Sequence, residues 1–133
     1  MKSILVAVDL SAGTETIVEG AARLAQRFDG RIRVIHVVSR EPCADEYRER
    51  EAELQRIGDR LWKRQIVAKA LLVQGPTVET ILDEARCWGA DLVVLGVRKD
   101  RDASDAVLGR VSDGVVRGTS CPVLVVPAGT DGT

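Results

Sequence analysis

A chain of 133 residues with 45% apolar side chains is long enough for one continuous core and short for two domains. Nineteen basic and twenty acidic residues leave a net charge of −1, which gives no electrostatic reason for DNA, RNA or an anionic membrane as the main partner. Cys43, Cys87 and Cys121 are odd in number, far apart and without a Cys-x-x-Cys pair, so neither a disulfide framework nor a zinc site is expected.

The elements alternate. Residues 4–8 form a short, valine-containing apolar run, too short for a helix and suited to a strand buried on both faces. The opening residues carry no secretory h-region with a cleavage site, and no later apolar run is long enough to span a bilayer, so a cytoplasmic location is expected. Over residues 14–28, Ile17, Ala21, Leu24 and Phe28 recur at helical spacing, and Gly30 follows as a stop signal. Residues 32–38 begin with alternation and end apolar, which predicts a second strand. Residues 44–63 carry Tyr47, Leu54, Ile57 and Leu61 as a stripe on a heavily charged helix, whose Glu and Arg side chains read as a solvated, ion-paired face.

A weaker strand is predicted over residues 66–73, interrupted by Lys69. Residues 77–88 predict a helix with Val78, Ile81, Leu82 and Ala85 inward, opening after Pro76 and closing at Gly89. Residues 92–95 predict a strand, Val107, Val111 and Val115 mark the last helix, and residues 123–126 the last strand. The βαβαβαβαβ order predicts an α/β fold: a doubly wound, five-stranded parallel sheet with helices on both faces, Rossmann-like in kind. No linker, repeat or low-complexity segment interrupts it, so residues 1–133 read as a single domain.

In an open parallel sheet the binding crevice lies beyond the carboxyl ends of the strands, where the winding direction reverses. The residues that follow the strands are therefore the informative ones: Asp9-Leu10-Ser11-Ala12-Gly13, Ser39-Arg40, and the charged stretch opened by Gly96. Gly96 permits backbone angles closed to other residues and a close ligand approach. Gly109 stands near the start of the last helix, where free N–H groups and the helix dipole favour an anion. A phosphate between these segments is a coherent expectation, and tight turns alone are the plainer account of both glycines.

Other constellations carry less. Asp9 is the only acid after the first strand, where a receiver domain needs a cluster, and no Gly-Lys-Ser/Thr phosphate loop is present. His36, the only histidine, reads as a hydrogen-bonded core residue lacking partners for a metal. Cys87 and Trp88 read as packing residues, and Trp62 as cover for a sheet edge. No catalytic residue is assigned, and the chain is not expected to be an enzyme.

Ile4-Leu5-Val6-Ala7-Val8-Asp9, His36-Val37, Gly89-Ala90-Asp91-Leu92-Val93-Val94-Leu95-Gly96 and Cys121-Pro122-Val123-Leu124-Val125-Val126-Pro127 together resemble the universal stress protein family across essentially the whole chain. The resemblance implies an adenine nucleotide alpha hydrolase-like fold and a stress-response sensor or regulator. It also implies ATP, with or without Mg²⁺, as the ligand. Ala7, Val8 and Asp9 would face the adenine, with Val37 and Leu95 lining the base. Gly96 and Val111 would approach the ribose, and Lys99, Gly109, Arg110 and Ser112 would lie along the phosphates.

Nucleotide-binding members carry glycine, two residues, glycine, nine residues, then glycine followed by serine or threonine. Here Gly96 and Gly109 keep the frame, but Lys99 takes the second glycine position and Arg110 replaces the hydroxyl residue. Lysine adds bulk where close approach is needed, while Lys99 and Arg110 add charge that suits phosphate. The expectation is therefore weak or modified ATP binding. The alternatives are a member that has lost ATP and works through protein contacts, and, last, a slow ATP hydrolase. The resemblance also implies a homodimer through the last strand, with Val123, Leu124, Val125 and Val126 at the interface.

Overall fold

Side chains alternate between the two faces of a strand, so an unbroken apolar run asks for cover on both sides. A computed structural model of the chain describes residues 2–97 and 109–128, and it meets that demand. The elements in order are β1 (Ser3–Ala7), α1 (Thr14–Phe28), β2 (Arg31–Val38), α2 (Ala44–Lys63), β3 (Ala68–Gln74), α3 (Thr77–Trp88), β4 (Leu92–Val97), α4 (Arg110–Gly118) and β5 (Val123–Pro127). All strands pair in parallel, in the order β3-β2-β1-β4-β5.

The core is split in two by the sheet. On one face Ile4, Val6, Ile32, Val34, Leu92 and Val94 meet Ile17, Ala21 and Ala25 of α1 and Leu54, Ile57 and Leu61 of α2. On the other, Leu5, Ile35, Val93 and Leu95 meet Ile81 and Ala85 of α3 and Val115 of α4. Burying each valine, leucine or isoleucine among them is worth about 1.5–3 kcal/mol against leaving it in water, and β1 lies at the centre of the sheet.

Two glycines of α4 set how close it lies to α3. A Cβ on Gly114 would stand 2.9 Å from the Val78 methyls, and one on Gly118 only 2.6 Å from Leu82 Cδ1. The four-residue spacing on each helix brings both pairs to one seam.

Some sequence expectations need correction. The left-handed residue closing α1 is Asp29 (φ 53°), with Gly30 N–H reaching back to the Ala25 carbonyl at 2.8 Å. An aspartate tolerates that region better than most residues. Ile66 is buried but precedes β3, because its N–H closes onto the Leu61 carbonyl at 3.0 Å and extends the α2 turn. Phe28 and Tyr47 end their stripes exposed. Cys87 is exposed rather than packed, whereas Trp88 packs against the α3 face of the core, with the Arg31 and Arg33 guanidinium carbons each 4.9 Å from the centre of its ring. Val107 lies outside the described residues.

Candidate functional site

The chain winds outward from β1 through β2 to β3, then returns to place β4 and β5 on the opposite side of β1. At this reversal Ala7, the last residue of β1, is the register partner of Leu95, two residues before the end of β4. The helices that leave in opposite directions cannot both cover the gap above them, and a crevice results. A cavity of about 170 Å³ lies there, walled by Ala7, Val8 and Asp9 after β1, Val37 of β2 and Leu95, Gly96 and Val97 of β4.

Three helices present their first turns to it. Gly13 is the residue before α1, Thr77 opens α3, and Val111 and Ser112 lie in the first turn of α4. Every helix following a parallel strand begins at this end of the sheet, so the positive ends of three dipoles converge on one space. Asp9 is the only ionisable side chain lining the cavity among the described residues.

The turn after β1 is held tightly. Asp9 Oδ1 accepts the Ser11 N–H at 2.9 Å, and between them Leu10 sits at φ 61°, a region that costs a branched-chain residue strain. His36, 7% exposed, donates from Nδ1 to the Val8 carbonyl at 2.9 Å. A carbonyl only accepts, so this bond places the proton on Nδ1. The histidine thus secures the end of β1 just before Asp9, in keeping with a hydrogen-bonded core role.

The sequence-expected residues divide clearly. Ala7, Val8, Asp9, Val37, Leu95, Gly96, Val111 and Ser112 are brought together around the cavity. Gly109 and Arg110 are exposed at the start of α4, outside its lining. Lys99 lies outside the described residues. Gly96 belongs to β4 without a positive φ, and its missing side chain leaves room for Ile17, whose Cδ1 would stand 2.2 Å from an added Cβ. Packing, not unusual backbone angles, accounts for this glycine. Gly109 is the reverse: at φ −68° it needs no glycine, and an added Cβ meets no atom of the described residues within 4 Å. Ser112 is 4% exposed and its hydroxyl points to the Gly96 carbonyl at 3.4 Å, tying α4 to β4.

Sequence reasoning passed over Ile17, Thr77, Ile81 and Ala128, which also line the cavity. Thr77 follows a strand and was within reach of the same rule. Ile17 and Ile81 carry only the ordinary signature of core positions.

Fold and crevice define a doubly wound α/β domain with a small, mostly apolar cavity at its switch point. The chain matches the Universal stress protein family over residues 1–127, and it belongs to that family. A universal stress protein of Thermus aquaticus is 35% identical to it, covering 94% of this chain and 98% of that protein. Among solved structures, a universal stress protein from Archaeoglobus fulgidus in complex with dAMP superposes with a TM-score of 0.77 at 22% identity, over 94% of this chain and 97% of that one. A family protein from Arabidopsis thaliana with AMP bound gives a TM-score of 0.71 at 20% identity, over 100% and 96%.

Proposed function

We propose that this chain is a regulatory or sensor module that binds an adenine nucleotide in the switch-point cavity and pairs with a second copy through β5. The observation that carries the reading is the cavity itself, an apolar slot between Val37, Leu95 and Ile81 rimmed by Asp9 and by three helix N-termini. At about 170 Å³ it is smaller than the roughly 300–1,000 Å³ of a complete ligand site. A flat base fits such a space, and sugar and phosphate would extend toward Gly109 and Arg110 at the head of α4. Solved structures of similar fold with dAMP and AMP bound support an adenine ligand, and ATP with Mg²⁺ is the longer form of the same proposal.

In this reading the chain acts through nucleotide occupancy rather than turnover, in a described lining that is mostly apolar. No described helix is long and apolar enough to cross a membrane, and the proposed location is the cytoplasm. A second reading, in which nucleotide binding has been lost, draws on Gly96, whose need for glycine is met by Ile17 alone.

Calorimetric titration with AMP and with ATP–Mg²⁺, beside an assay for nucleotide released on denaturation, separates the two. Gly109→Asp sharpens the test. An aspartate at this N-cap is at least as good for the helix as glycine, yet it sets a carboxylate where the phosphate is proposed. Nucleotide affinity should fall tenfold or more with the melting temperature unchanged or raised. Absence of heat and of released nucleotide in the wild type rejects the nucleotide reading.

A further inference from the structure

The sheet has two edges, β3 and β5, and an unpaired edge is a template for a strand from another molecule. The two differ in one respect. In the β2–β3 ladder Ala68 stands opposite Ile32, and the Ile32 N–H is taken by the carbonyl of Val67 at 2.9 Å. Backbone groups along a parallel strand alternate in direction, so the carbonyl of Ala68 points outward, away from β2. It is already occupied: the indole Nε1–H of Trp62 donates to it at 2.8 Å.

Trp62 is the next-to-last residue of α2 and is 56% exposed, so burial does not explain where it lies. Its hydrogen bond does. The turn of residues 64–67 returns the chain from α2 to β3, with Arg64 and Gln65 closing onto the carbonyls of Leu61 and Trp62 at 3.1 and 2.9 Å. That tight return sets the indole beside the start of the strand it guards. Along β5, by contrast, no described side chain hydrogen-bonds the backbone of Val123–Pro127.

We propose that Trp62 closes the β3 edge against a second copy of this chain, leaving β5 as the edge open to pairing. A strand arriving along β3 would need the Ala68 carbonyl and would meet the indole first. The proposal concerns β3 and stands whether or not the cavity takes a nucleotide.

Sedimentation in a Leu124→Asp background, which places a charge on the β5 edge, reads β3 by itself. Leu124→Asp with Trp62→Ala should gain mass with concentration, reaching at least 1.5 times the monomer at a few hundred micromolar, while Leu124→Asp keeps its lower mass. Trp62→Phe in the same background keeps the ring without its donor and should fall between them. Hydrogen exchange at Ala70 and Leu72, whose amides share the outward direction of Ala68, should slow as mass rises. Equal masses for Leu124→Asp with and without Trp62→Ala, or a lower mass on removing Trp62, overturn the proposal. A wild type that is already monomeric counts against β5 pairing and leaves the Trp62 comparison intact.

Discussion

Gly96 and Ile17 make a pair whose two halves explain each other. The strand residue lacks a side chain because the helix residue fills its place, with 2.2 Å between Ile17 Cδ1 and an added Cβ. Ile17 is only 5% exposed and has little room to turn aside. Gly96→Ala should therefore cost about 1–3 kcal/mol by overpacking. Ile17→Val alone should cost about 0.5–1.5 kcal/mol for its lost methyl. Together they should cost less than the sum by at least about 0.5 kcal/mol, as residues in contact couple. Strict additivity in urea unfolding would show that Ile17 is not what holds Gly96 in place. Because both residues line the cavity, the same pair also shapes its wall.

The start of β4 is joined to the start of β1 by a single carboxylate. Asp91 Oδ2 accepts the Ser3 N–H at 2.9 Å and the Lys2 N–H at 3.0 Å, while its own N–H goes to the Ser3 carbonyl at 2.7 Å. The two backbone donors, that of Ser3 foremost, hold the carboxyl below its ordinary value of 3.8. A carboxyl with a depressed folded pKa stabilises the fold above its unfolded value, and the contribution disappears as pH falls through the folded value. Asp91→Asn should thus melt below wild type at pH 7, and the gap should close as pH is lowered beneath 3.8. A gap that persists unchanged to pH 2.5 would show that charge is not what the two amides select. At the same scale, Gly114 and Gly118 let α4 settle against Val78 and Leu82 of α3, which carries Ser112 inward to the cavity wall.

For the molecule as a whole, the arrangement leaves β5 at one edge with Leu124 37% exposed. If two copies pair there, Leu124→Asp should halve the mass seen by sedimentation while a monomer-level fold persists by circular dichroism, and wild-type stability should rise with protein concentration where the variant's does not. An identical monomeric mass for both rejects the edge interface. The alternation of strands and helices was legible from residues 4–8, 32–38 and 92–95, since only a sheet covered on both faces makes an unbroken valine-rich run favourable. Asp9 was legible at the crevice because strand ends meet at a switch point, whereas Ala7, Val37, Leu95 and Ser112 were placed there by the resemblance to universal stress proteins. The local pattern alone determined the order of elements and the place of the crevice, through periodicity and the rule that links strand order to it. Contacts between segments distant in the chain were decided only by the tertiary structure: Ile17 beside Gly96, Thr77 and Val111 at one cavity, and Trp62 on the edge of β3. Such contacts depend on the distance and angle at which elements pack, and a side chain carries no mark in the sequence of which distant backbone it will meet.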